Sequence, residues 1–222
     1  MSRPLLLGHR GARATRTIPE NTLESFDLAL AHGCDGFEFD VRKTADGRAV
    51  ICHDPDVDGV EISKAGLGSL ESVPTLKEVL TRYSEKAFLD IELKVPGLEH
   101  NLLSALRMSA PRQGFVVSSF LPEVLDTLAD LDHSLPLGLL TETPSQLARW
   151  KHTPAKYVLP HFTKIDNDLC NALHAAGKKV FAWTVNDREA MGRLVAWGID
   201  GLISDETELL VATFREASPE DH

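Results

Sequence analysis

"GFEFDVRKTADG", residues 36–47, is the stretch on which the fold turns. Phe37, Phe39 and Val41 alternate with Glu38, Asp40 and Arg42, and the run ends at an Asp46-Gly47 turn. That period of two marks a strand with one apolar and one charged face. The following run, "RAVICHD" (48–54), lies at hairpin distance and is predicted to pair back on the same strand. A third run repeats the pattern. In "FLDIELKV" (88–95), Leu89, Ile91, Leu93 and Val95 share one face, and Asp90, Glu92 and Lys94 share the other.

Outward from these strands the chain alternates. Short apolar runs at 4–9, 114–120, 135–140, 156–160, 179–185 and 201–204 are each followed by a stretch with helical spacing. Several of those stretches open on a capping Asn, Thr or Asp, or carry Pro in the first turn, and several close at Gly. Eight strand–helix units with one early hairpin predict an α/β protein, a (β/α)8 TIM barrel with a short insertion after strand 2. The alternative is an open doubly wound sheet. Its first turn is ordinarily Gly-rich, and "GHRGARA" here is not G-x-G-x-x-G. The expected organisation is one catalytic domain over residues 1–214 and a polar tail over 215–222.

Composition narrows the partners. The chain has 222 residues, 43% of them hydrophobic and 25% charged, as in a globular protein with a substantial core. A net charge of −10 argues against nucleic acid and anionic membranes as partners, so an anionic substrate needs a locally positive or metal-bearing pocket. No apolar stretch approaches membrane-spanning length, and "MSRPLLLGHRG" is too short in its apolar run for a signal peptide. The three cysteines, Cys34, Cys52 and Cys170, have no paired spacing, which points to a reducing compartment and a cytoplasmic protein. Oligomeric state leaves no mark in the sequence.

In such a barrel, chemistry comes from the carboxyl ends of the strands. Those positions hold His9 and Arg10 after strand one, Glu38 and Asp40 on strand two, and His53 at the end of the hairpin. Further round come Glu92 and Lys94, then Phe120, His161 and Trp183. Strands of a parallel barrel are buried on both faces and ordinarily read as continuous apolar runs. Acids there cost several kcal/mol unless something neutralises them. Arg42 and Lys94 are one possibility, as salt-bridge partners. A hard divalent cation is the other, since Glu38, Asp40 and Glu92 form an all-oxygen set suited to Mg²⁺ or Ca²⁺ rather than zinc. Two acids alone would favour the salt bridges; a third on the next strand, with two histidines at the same rim, favours the cation. His9 and His53 suit proton transfer near neutral pH, and Arg10 suits a bidentate grip on phosphate.

These residues resemble the glycerophosphodiester phosphodiesterases. The resemblance rests on "GHRGA" (8–12), "PENT" (19–22), "FEFDV" (37–41), "TADG" (44–47), "HD" (53–54), "PTLKEVL" (74–80), "IELK" (91–94), "SSF" (118–120) and "WTVN" (183–186), in the family's order. It is dense over the first half of the chain and sparser beyond. It implies a small cytoplasmic bacterial-type member with a TIM barrel that hydrolyses glycerophosphodiesters to sn-glycerol 3-phosphate and an alcohol, with Mg²⁺ or Ca²⁺ as cofactor. Carried over, Glu38, Asp40 and Glu92 are the metal ligands, and His9 and His53 the acid–base pair. Arg10 and Lys94 contact phosphate, Glu20 and Asn21 support the site, and Phe120 and Trp183 wall the glycerol.

One departure bears on substrate. Between His53-Asp54 and Pro74 the family carries a longer basic insertion, and this chain has the short acidic "PDVDGVEISKAGLGSLESV". A pocket more open on that side is expected. A related phosphodiesterase acting on a lysophospholipid or another phosphodiester, in the manner of a phospholipase D, is the alternative reading. Cys52 is expected to point away from His53 as a packed thiol.

Overall fold

A computed structural model describes residues 3–70 and 72–215. Its strands are β1 (Leu5–Gly8), β2 (Gly36–Lys43), β3 (Ala49–Ile51), β4 (Asp56–Val57), β5 (Val60–Glu61), β6 (Phe88–Leu93), β7 (Phe115–Ser119), β8 (Leu137–Thr141), β9 (Tyr157–Pro160), β10 (Lys179–Ala182) and β11 (Gly201–Ser204). Its helices are α1 (Leu23–His32), α2 (Leu76–Tyr83), α3 (Glu99–Met108), α4 (Pro122–Leu131), α5 (Pro144–Leu147), α6 (Asn167–Ala175), α7 (Arg188–Ala196) and α8 (Thr207–Arg215). Strands β1, β2 and β6 to β11 run parallel in that order, and β11 returns to β1, closing the predicted (β/α)8 barrel.

The alternation in β2 and β6 is a division between helix layer and lumen. Phe37, Phe39, Val41, Leu89, Ile91 and Leu93 pack outward among Phe26 of α1 and the apolar faces of α2 and α3. Phe26 stacks on Phe37 with ring centroids 4.2 Å apart. The other face of each strand points inward, and register sets Glu38 beside Asp90 and Asp40 beside Glu92. Phe88 at the start of β6 and Leu7, Val116, Leu140, Leu159, Phe181 and Ile203 of the other strands form an apolar cluster.

The early hairpin forms as read. Strand β3 pairs antiparallel with the end of β2, Val41 opposite Ile51, and the connection turns at Gly47 with φ 76°. The short insertion makes the β4–β5 ribbon around Asp58-Gly59, both with positive φ as such a two-residue turn requires. Ile62, Ala65 and Leu70 of that segment then pack on Val50, with Cys52 at the edge of the same cluster. One helix falls short of its pattern. "PSQLARW" gives a single turn, α5, continued as a 3-10 segment over Ala148–His152. Pro144 and the Thr143/Gln146 capping box start it well, but Thr153 precedes Pro154 and is forced into an extended conformation. Apart from Arg215, the tail expected over 215–222 lies outside the described residues. Among the described residues, no helix is long and apolar enough to cross a membrane.

Candidate active site

The carboxyl ends of the strands enclose a cavity of about 220 Å³ whose lining includes His9, Arg10, Glu38, His53, Glu92, Lys94, Phe120 and Trp183. At its floor the carboxylates of Glu38, Asp40 and Glu92 converge, with one oxygen from each within 4.8 Å of the others. All three are buried, at 4%, 1% and 7% exposure, so their charges cannot be dispersed into water. Asp90 lies one layer deeper on β6, where the Ser118 hydroxyl donates to its Oδ1 at 2.6 Å.

Four carboxylates therefore share a lumen with the cations Arg10 and Lys94. Lys94 Nζ stands 2.7 Å from Glu92 Oε1 and 3.3 Å from Asp40 Oδ1, and Arg10 Nε stands 3.2 Å from Asp40 Oδ2. The salt-bridge alternative thus holds for Lys94. Arg42 takes no part in it, because its guanidinium donates twice to the His53 carbonyl, at 2.8 and 2.6 Å. Two cations do not balance the set. Burial, then Asp40, Glu92 and Asp90, push Glu38 well above the usual carboxylate range. Burial and Asp40 push Glu92 up to about 7, and burial pushes Asp90 up to about 8. Asp40 alone is lowered; burial opposes this, but Lys94, Arg10 and Asn21 outweigh it. Glu38 Oε1 is buried and accepts no hydrogen bond. A cluster of hard oxygens with excess negative charge and an unused buried lone pair fits a divalent cation.

The two histidines are held differently. His9 Nδ1 meets Asp205 Oδ1 at 2.7 Å, and its Nε2 stands 3.8 Å from Glu38 Oε2. Burial pulls the His9 pKa below its ordinary 6.5, although Asp205 opposes the change. Burial would raise Asp205, but the bonds from His9 and Asn186 and the charge of Arg13 bring it down to about 2. His53 is about a third exposed, and its Nδ1 meets Asp54 Oδ1 at 2.8 Å. Cys52 sits in the cluster under the insertion, away from the cavity.

The loop after β1 is built around these contacts. Arg10 and Asn21 both adopt left-handed backbone, φ 52° and 58°, and Asn21 N–H donates to the Arg10 carbonyl at 3.0 Å. Asn tolerates that conformation; for Arg it costs about 1–2 kcal/mol. The return is a backbone N–H of Arg10 aimed at Glu38 Oε2, 3.0 Å away. Asn21 is buried and donates to Asp40 Oδ2 at 2.8 Å. Glu20 accepts from Arg10 at 2.7 Å and also from Arg13. Glu20 and Asn21 thus act on Arg10 and Asp40, and their side chains lie outside the cavity lining.

Phe120 and Trp183 line the cavity with ring centroids 5.5 Å apart and nearly perpendicular, and the His161 ring packs nearly perpendicular to Trp183 at 5.3 Å. Among the described residues, none of those lining the cavity comes from the insertion 55–73. Sequence reasoning missed three members of the site. Asp205 follows the last strand as part of "SDET", an ordinary helix-capping string. Glu142 lines the cavity from the β8–α5 loop. Ser118 was visible only as part of "SSF", and its inward direction depends on pairing with β6.

Comparison with known proteins agrees with this geometry. The model of the glycerophosphoryl diester phosphodiesterase family matches residues 9–209. A glycerophosphodiester phosphodiesterase of Caldanaerobacter subterraneus subsp. tengcongensis is 31% identical, over 96% of this chain and 98% of that protein. The crystal structure of a Thermotoga maritima glycerophosphodiester phosphodiesterase is 28% identical with a TM-score of 0.83, covering 96% of this chain and 99% of that one. An Oleispira antarctica phosphodiesterase, solved in complex with the product sn-glycerol-3-phosphate, is 26% identical with a TM-score of 0.84, covering 96% and 97%. With its barrel, its acid cluster and a family match over nearly its whole length, this chain belongs to the glycerophosphoryl diester phosphodiesterase family.

Proposed function

We propose that the protein hydrolyses glycerophosphodiesters to sn-glycerol 3-phosphate and an alcohol, with a hard divalent cation, Mg²⁺ or Ca²⁺, at Glu38, Asp40 and Glu92. The observation that carries this reading is the convergence of those three carboxylates on the floor of a cavity that both His9 and His53 line. The Oleispira relative, with its bound sn-glycerol-3-phosphate, supports the choice of product. When bound, the cation supplies positive charge to offset what develops on the phosphoryl oxygens.

The chain's own residues do the rest. Arg10 and Lys94, which line the cavity, would take the phosphate oxygens. Ionised Asp205 can only accept, so it holds the proton on His9 Nδ1 and leaves Nε2 as the acceptor facing the cavity. His9 is then the base that takes the nucleophile's proton. His53, hydrogen-bonded to Asp54 and closer to solvent, gives a proton to the leaving oxygen. Phe120 and Trp183 exclude water from one side of the reacting group. A chain with three cysteines in no paired spacing suits the cytoplasm as the setting.

Release of glycerol 3-phosphate from glycerophosphocholine, with and without chelator, tests the reading, with lysophosphatidylcholine as the competing substrate. Turnover that survives thorough chelation removes the cation from the scheme. Preference for the lysophospholipid replaces the substrate. Near-normal turnover in both His9→Ala and His53→Ala removes the acid–base pair.

A further inference from the structure

Two positions beyond Asp40 on β2, Arg42 gives both Nε and Nη2 to one acceptor, the carbonyl oxygen of His53. A guanidinium fork is matched to carboxylates, and here it closes on a peptide oxygen instead. The segment it grips has little else to fix it. His53 lies between β3 and β4 and belongs to neither. Among the described residues, no backbone–backbone hydrogen bond reaches its N–H or its carbonyl. The last such tie before it runs from Cys52 N–H to the Asp40 carbonyl at 3.0 Å, and the next from Ile62 N–H to the Pro55 carbonyl at 3.0 Å. The imidazole itself is hydrogen-bonded to Asp54, whose side chain is 73% exposed and so a loose hold. Arg42 is therefore the firm link between His53 and the strand that carries Glu38 and Asp40, and it does not line the cavity.

We propose that Arg42 is a positioning residue: by clamping the His53 carbonyl it fixes the imidazole that gives its proton to the leaving alcohol. This rests on the function proposed above. In that reaction the bond from phosphorus to the alcohol oxygen breaks, and that oxygen takes the proton of His53 Nε2, since Nδ1 is engaged with Asp54. Proton donation works only over hydrogen-bond distances, so a drift of about 1 Å costs on the order of 10²-fold in rate. Strand β2 then holds both parts in register, two of the converging acids at its middle and the proton donor through Arg42 near its end. Arg42 acts on one step, departure of the alcohol, and leaves substrate and cation binding alone. A role confined to holding the hairpin together would touch every step alike.

The experiment uses two substrates that differ in their need for that proton. Glycerophosphocholine must release an alcohol, whereas the p-nitrophenyl ester of glycerol 3-phosphate releases a stable anion. Both are assayed for kcat and KM with the wild type, Arg42→Lys, Arg42→Met and His53→Ala. Arg42→Met should lose about 10²-fold in kcat on glycerophosphocholine and less than about threefold on the p-nitrophenyl ester, with each KM within about twofold. Arg42→Lys keeps one donor for the carbonyl, so its loss on glycerophosphocholine should be about three- to tenfold. Partial unfolding lowers both rates equally, so the ratio of the two reads position rather than stability. Should Arg42→Met fail to fold, the ratio in Arg42→Lys decides. Equal losses on both substrates, or a ratio within about twofold of wild type, overturn the proposal when His53→Ala itself separates the substrates. A His53→Ala protein that loses both rates equally removes His53 as the acid, and the reaction proposed above falls together with the role of Arg42.

Discussion

His9 Nδ1 and Asp205 Oδ1 lie 2.7 Å apart, although 196 positions separate them in the chain. Closure of the barrel makes the contact, since β1 pairs with β11 and sets Gly8 opposite Ser204. Asp205 is itself fixed by Asn186, whose side-chain amide donates to Oδ2 at 2.7 Å and whose Oδ1 accepts from the Asp205 N–H at 2.9 Å. The imidazole is thereby held in one tautomer and one orientation, with Nε2 toward Glu38.

Asp205→Asn is therefore expected to lower kcat by about 10²- to 10⁴-fold through loss of the correct His9 tautomer. KM and cation affinity should barely change, because Asp205 belongs neither to the acid cluster nor to the cavity lining. Steady-state kinetics alongside calorimetric titration with Mg²⁺ or Ca²⁺ separates these quantities. Equal losses in turnover and cation affinity would mean that the substitution disturbs the floor as a whole.

The same pair sets an acid limit on stability. The folded Asp205 pKa of about 2 lies below its ordinary 3.8, so its ionised form favours the native state. That contribution is full above about pH 4 and is lost as pH falls through about 2, and it amounts to about 2 kcal/mol. Urea unfolding should show Asp205→Asn less stable than wild type at pH 7, with the gap closing below pH 4. A gap that widened on acidification would reverse the assignment.

The fold was legible because it is written in local patterns. Alternation in 36–42 and 88–95, a Gly at the 46–47 turn and capping residues before most helices all act within a few positions. The acid cluster was legible for the same reason: Glu38, Asp40 and Glu92 stand on the anomalous faces of two recognisable strands, and register brought them together. What escaped depends on which distant strand ends meet. Arg42, on the same strand face as the acids, offers them a plausible partner, yet its side chain goes to the His53 carbonyl, a direction set by the hairpin. Asp205 and Glu142 are ordinary loop acids until the closed cylinder brings the first to His9 and the second to the cavity. The sequence reads Glu20 and Asn21 as support for the site, and their side chains contact Arg10 and Asp40.

Excess buried negative charge predicts stabilisation by a cation. Saturating Mg²⁺ or Ca²⁺ should raise the melting temperature, and a concentration 100 times Kd corresponds to about 2.7 kcal/mol. Glu38→Gln and Glu92→Gln should lose most of that shift. Without added cation, both should melt at or above the wild type, since each removes a carboxylate whose ionisation burial opposes. Differential scanning fluorimetry with chelator and with each ion gives the comparison. Full shifts retained in both variants would place the ion elsewhere.

Gly36 tests whether the spacing of β2 and β6 is what brings the carboxylates together. It pairs with Phe88 two positions before Glu38, and a Cβ there would lie 1.8 Å from the Phe88 carbonyl oxygen. Backbone cannot yield that distance as a flexible side chain would, so Gly36→Ala must push apart the two strands that carry Glu38, Asp40 and Glu92. A loss of about 3 kcal/mol or more is expected, and any residual folded protein should have lost its response to divalent cations. Gly192 is the control. It lies in α7 with nothing within 4 Å of an added Cβ and without positive φ, so Gly192→Ala should gain about 0.5–1 kcal/mol and keep the cation response. Chemical unfolding of both variants with and without cation distinguishes spacing from general fragility. A Gly36→Ala protein that folds and still binds the ion with unchanged affinity would show that the carboxylates converge without help from this close approach.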